Sequence, residues 1–224
     1  MTMNMNITTI LADAYHFFIG NLRQMAGLFL PILLIVTALE HGLTATADTA
    51  SLIWAVLVGL LVYPLYTGAL ILLLAKRTQH ESPTNGQLLR AAFSLWWPLL
   101  LVTLMVGVAV IFGFMLLIIP GIWMAVRLAF AEIYLVVEGL TPLAAMRKSH
   151  DTTKELFWVI LLAVVIVYVP LIALSFLSEW MMDTYGGSSA LGIVADTMIA
   201  FLGLFVNVVI FRIYLLHGQN SAQG

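Results

Sequence analysis

The chain has 224 residues, 62% hydrophobic and only 9% charged, with a formal net charge of -2 and no cysteine. A mean hydropathy of +1.07 is too high for a water-facing surface, and no polar stretch is long enough for a separate soluble unit, so residues 1–224 read as a single membrane domain. The small, dispersed charge gives no basis for a nucleic-acid partner, and the missing thiols exclude disulfides, thiolate nucleophiles and zinc–thiolate sites.

Ile7, Ile10, Leu11, Ala14, Phe18 and Leu22 recur at helical spacing opposite Thr9, Asp13 and His16. This amphipathic pattern suits a helix lying among lipid headgroups. The first span covers Met25 to Leu43 and contains Pro31. Ala45-Thr46-Ala47 before Asp48 loosely resembles a signal-peptidase site. The only positive charge upstream of it, Arg23, directly adjoins the apolar run, and the leader would be long, so the segment is read as a retained span.

The second span, Leu52 to Ala75, stops at Lys76-Arg77 and carries Tyr63-Pro64 and Tyr66-Thr67-Gly68 at its centre. Ser82-Pro83 is the expected cap and first-turn proline of a short interfacial helix, Leu88 to Trp97, with Trp96-Trp97 at headgroup level. The third span, Pro98 to Ile119, meets Pro120-Gly121, the expected tight turn at the outer interface. The fourth, Ile122 to Val137, carries Arg127 and Glu132.

Thr141-Pro142 opens a short basic helix through Arg147-Lys148, and Thr152-x-x-Glu155 fits a capping box before the fifth span, Phe157 to Leu177. The sixth span, Leu191 to Leu216, carries Asp196 and Asn207 and ends near Arg212. Arg23, Lys76, Arg77, Arg90, Arg147, Lys148, Lys154 and Arg212, the last near the inner end of the sixth span, then all fall on one side, and only Arg127 lies deep within a span. Cytoplasmic loops retain Lys and Arg. The fold expected is therefore all-α, a polytopic bundle of six transmembrane helices with amphipathic interfacial helices and both termini cytoplasmic. Running through Pro120 as one helix would leave five spans and strand Arg147, Lys148 and Lys154 outside. Three units of one short helix and two spans (7–75, 83–137 and 142–216) suggest a threefold repeat.

Ile118-Ile119-Pro120-Gly121-Ile122-Trp123, Arg127-Leu128-Ala129, Val136-Val137-Glu138-Gly139 and Ala144-Ala145-Met146-Arg147-Lys148-Ser149, with the closing Phe211-Arg212-Ile213-Tyr214-Leu215-Leu216, resemble the YciC-type bacterial inner-membrane proteins. The Pro-Gly-Ile arrangement is also similar to the membrane domain attached to some glycerophosphodiester phosphodiesterases. The resemblance spans roughly 91–216. It implies a six-helix inner-membrane domain of a bacterium and carries over no catalytic residue, because the YciC-type family has no assigned chemistry.

An ionisable group among lipid tails costs at least ~2.5–3.5 kcal/mol and needs a partner or a purpose. Arg127 and Asp196 share an expected depth in the outer third, which suggests a salt bridge between the fourth and sixth spans; the competing reading makes Arg127 the fork for an anionic lipid phosphate. Glu132 is about 140° from Arg127 around a continuous helix, so Tyr63, Tyr66, Thr67 and Asn207 are its expected hydrogen-bond donors. It reads as structural, or as the coupling carboxylate of a transporter. The five histidines form no HxxxH or HxH cluster, and Ser149-His150-Asp151 are adjacent residues that do not converge as a triad requires. No metal or other cofactor is expected. The sequence points to a non-enzymatic inner-membrane protein that supports envelope or lipid homeostasis by binding lipid or a partner membrane protein. The alternative is a small permease or transporter subunit.

Overall fold

A computed structural model describes residues 6–44, 48–186 and 188–223. Among them the chain forms ten helices and no strand: α1 (Ile7–Gly20), α2 (Leu22–Thr44), α3 (Thr49–Thr78), α4 (Asn85–Ser94), α5 (Trp96–Leu116), α6 (Ile118–Arg127), α7 (Ala131–Glu138), α8 (Pro142–Thr152), α9 (Phe157–Tyr185) and α10 (Ser189–Gln223). Six stretches are long and apolar enough to cross a bilayer: α2, α3, α5, α6 with α7, α9, and α10 as far as Gln219. The chain is a multi-pass, all-α membrane protein. Ala45, Thr46, Ala47 and Gly187, part of the expected outer loops, lie outside the described residues, as does the signal-peptidase resemblance.

The helix ends follow local chemistry. The Asn6 side chain accepts from the Thr8 amide at 3.1 Å, and Asp48 accepts from the Ser51 amide at 2.7 Å. Lys76 and Arg77 close α3, where cations oppose the negative end of the helix dipole. Pro31, Pro64 and Pro170 each lie inside a helix that continues past them. Gly186 ends α9 at φ +70°, a left-handed conformation that glycine adopts without steric cost.

Three boundary expectations are corrected. The cap of α4 is Thr84, not Ser82, and Thr84 with Gln87 forms the reciprocal capping box. Thr152 and Glu155 form no such box, because α9 starts only at Phe157 and the Thr152 hydroxyl is taken by Tyr134 at 2.8 Å. The turn between α5 and α6 is made at Leu117, whose φ of -167° and ψ of 163° are extended, and Pro120-Gly121 already belongs to the next helix. Proline fits that position because first-turn amides have no helical acceptor. The hairpin closes on two glycines: a Cβ at Gly113 would fall 2.8 Å from the Gly121 Cα.

Two of the short helices each bury one face against the longer ones. α1 buries Ile10, Ala14 and Phe18 and runs along α10, where Asp13 pairs with Arg212 at 2.8 Å and the Phe18 ring meets Phe201 and Phe205 at 5.7 and 5.6 Å. α4 buries Leu88 and Ala92 against α3. Trp96, expected among headgroups, donates its indole N–H to the Leu61 carbonyl at 2.8 Å. That carbonyl is in the middle of α3, next to the Leu60 carbonyl that Pro64 deprives of its helical donor.

At the basic end, Arg77 donates to Gln24 (2.6 Å), which in turn donates to the Pro83 carbonyl (2.7 Å), pinning the α3–α4 loop to the start of α2. Asp13, Thr78 and Arg212 line one small pocket there, so α1 and the end of α10 share a side of the bundle. The order of one helix of 10 to 14 residues followed by two crossings occurs three times, opened by α1, α4 and α8.

Candidate functional site

Span four is broken in two. Between α6 and α7, Leu128 to Phe130 form a turn, and a turn at membrane depth needs partners for its freed backbone groups. They come from α8 and the residue after it. The Ser149 hydroxyl donates to the Arg127 carbonyl at 2.9 Å and accepts from the Phe130 amide at 3.0 Å, and Thr153 donates to the same carbonyl at 3.0 Å. Ser149 and Thr153 are fully buried. Of the triad-like run, Ser149 is thus a backbone cap.

This break sets the position of Arg127. Arg127 is 5% exposed, and its guanidinium sits 5.2 Å from the Trp123 ring centroid, one turn back on α6. One terminal nitrogen is 3.3 and 3.4 Å from the two ring nitrogens of His150, one of which accepts in the neutral tautomer. The Arg127 Nε is buried with no partner. Among the described residues no carboxylate comes within 4 Å of the guanidinium.

The expected Arg127–Asp196 bridge does not form. Asp196 instead meets His41 Nε2 at 2.7 Å, joining α10 to α2, whereas Arg127 faces α8. Shared depth on a continuous span four does not capture the pairing, because the span breaks after Arg127 and His41 on α2 and His150 on α8 reach the two groups first. Beyond His150, Lys154 lies 3.1 Å from Asp151 and holds that carboxyl below the usual carboxylate range. Lys154 and Trp158 are both exposed, a cation and an indole of the kind that mark a membrane interface.

The broken span also turns Glu132 away from Arg127. Glu132 stands in the first turn of α7, at the positive end of a helix dipole. Thr103 of α5 donates to Oε1 at 2.9 Å and Tyr63 of α3 donates to Oε2 at 3.3 Å. Tyr63 is one of the expected donors. Thr103 is not, although it is the sole hydroxyl in the third span and that isolation is a legible signal. Tyr66 packs edge-on to Tyr63 at 5.3 Å. Tyr63, Tyr66 and Asn207 line a cavity with Tyr168 of α9, a residue that nothing in the sequence pattern marks.

At the basic end, Lys148 pairs with Glu138, sits 4.9 Å from the Tyr134 ring centroid, and so ties α8 to α7. Among the described residues no three His, Asp or Glu side chains gather as a metal site.

Fold and hydropathy define the class, a multi-pass helical membrane protein with polar groups held between its helices. No protein-family model, curated protein or solved structure matches the chain.

Proposed function

We propose that this is a non-enzymatic protein of a bacterial inner membrane that binds an anionic phospholipid headgroup at Arg127 and serves envelope or lipid homeostasis. One observation carries the reading: a buried Arg127 with an unpartnered Nε and, among the described residues, no carboxylate within 4 Å. A buried cation is costly until an anion or a strong acceptor compensates it. The planar fork of arginine matches a phosphate's oxygens, His150 adds a second nitrogen donor, and the Trp123 ring beside the guanidinium is exposed on the bundle surface.

The resemblance to YciC-type proteins supports the inner-membrane assignment. The gathering of Lys76, Arg77, Arg147, Lys148 and Arg212 beside the helix ends supports a cytoplasmic position for that side and for both termini. Lipids are the proposed partners, with a second membrane protein as the other candidate, and no nucleic acid.

Native mass spectrometry of gently extracted protein tests the reading. The wild type should retain phosphatidylglycerol or cardiolipin, and Arg127→Met should lose it while keeping its other adducts. Equal retention by both proteins overturns the proposal. Labelling single cysteines from either side of the membrane tests orientation: Gly86→Cys, at an exposed position in the first turn of α4, should react only from the cytoplasm.

A further inference from the structure

α2, α3, α9 and α10 enclose a cavity of about 340 Å³, near the small end of ligand-binding cavities, which run from ~300 to 1,000 Å³. Its polar wall is unusual for a site among apolar helices. Tyr63 and Tyr66 stand on α3, Tyr168 and Ser175 on α9, and Asn207 on α10; the rest of the lining is aliphatic or glycine. No Lys, Arg or His lines it. The Tyr63 hydroxyl reaches through the wall to the Glu132 carboxylate. That carboxylate receives one hydrogen bond on each oxygen, which leaves acceptor capacity on both. The cavity is partly open, and two of its lining residues on α9, Tyr168 and Ile172, are 43% and 52% exposed.

We infer that this cavity binds a small organic cation of the quaternary or alkyl-ammonium class. Tyrosine faces carry the negative end of the ring quadrupole and attract a cation held within about 6 Å of a ring centroid. Glu132 behind the same wall, once ionised opposite a bound cation, adds an attraction that hydrocarbon surroundings strengthen. An anion would meet both elements as repulsion, and a purely apolar guest would leave the tyrosine, serine and asparagine groups unused. The volume suits an ammonium with short substituents rather than a drug-sized dye. The site is separate from the Arg127 site and does not depend on it.

The test is equilibrium binding of radiolabelled choline to the purified full-length chain in a maltoside detergent. Saturable binding should be displaced by tetramethylammonium but not by the uncharged isostere 3,3-dimethylbutan-1-ol. Tyr168→Leu should weaken binding at least about fivefold, and Tyr168→Phe should stay within about twofold of wild type, because the ring face alone is needed. Glu132→Gln should also weaken binding, whereas Arg127→Met should leave it unchanged and keep this result distinct from the lipid proposal. Tyr168 is partly exposed, so its variants remain informative even if Glu132→Gln fails to fold. Absent saturable binding to wild type, equal displacement by the alcohol, or an unaltered Tyr168→Leu would overturn the inference.

Discussion

Replacing Ser149 by alanine strikes the break in span four directly. The hydroxyl donates to the Arg127 carbonyl and accepts from the Phe130 amide, both in a fully buried setting. Losing the first bond costs about 1 kcal/mol net, and leaving a buried N–H without its acceptor costs about 1–3 kcal/mol. The carbonyl itself keeps Thr153, so Ser149→Ala should lose about 2–4 kcal/mol in all. Thr153→Val, nearly isosteric, should lose only about 1 kcal/mol. The double variant should lose more than the two singles added, since only then is the carbonyl stripped of both hydroxyls. Reversible denaturation of detergent-solubilised protein in mixed SDS micelles gives these differences. Ser94→Ala is the control, because that exposed hydroxyl donates only to Ala91 in its own helix. Should Ser149→Ala prove no less stable than Ser94→Ala, the capping argument is refuted.

Other outcomes follow from the same geometry. Gly113→Ala and Gly121→Ala should each cost about 1–3 kcal/mol by overpacking, since a Cβ at the first would fall 2.8 Å from the Gly121 Cα and one at the second would run into the Phe114 ring; Gly107→Ala, with open space around it, should be neutral or stabilising in the same denaturation assay. A double-mutant cycle on Arg127 and Asp196 should be additive within about 0.5 kcal/mol, and a larger coupling would contradict their separate histidine partners. The Asp13–Arg212 pair has both side chains about a third exposed, so its coupling, read from Asp13→Asn and Arg212→Gln, should stay below about 1 kcal/mol.

The six crossings are legible in the sequence because hydrocarbon thickness imposes a length of apolar helix that few other structures share. The break at 128–130 is not, since Leu128-Ala129-Phe130 contains neither glycine nor proline, and the groups that satisfy it arrive some twenty residues later on α8. A tertiary cap leaves no local signature. Arg127 stands out in the sequence, but its partner does not: sharing a depth and opposing in charge are weak criteria when histidines stand closer to both groups. For Glu132 the reverse holds. Tyr63 is legible as a donor because a tyrosine in a proline-containing span has few other uses, whereas Tyr168 sits in a uniformly apolar run and acquires meaning only when α9 is placed opposite α3. The capping boxes show the limits of motif reading. Thr152-x-x-Glu155 has the right letters, yet its threonine hydroxyl is claimed by Tyr134, while Thr84 and Gln87 form the real box two residues past the expected cap.

Because the cap on span four lies downstream of it, the ribosome delivers α6 and α7 before the residues that make their junction tolerable in hydrocarbon. During synthesis the Arg127 carbonyl and the Phe130 amide must be satisfied by water or by the insertion machinery until Ser149 and Thr153 have emerged. The middle third of the protein therefore reaches its final form only as the last third is being made. A chain halted after Glu138 would hold a hairpin whose Arg127 carbonyl and Phe130 amide lack the hydroxyls that cap them in the finished fold.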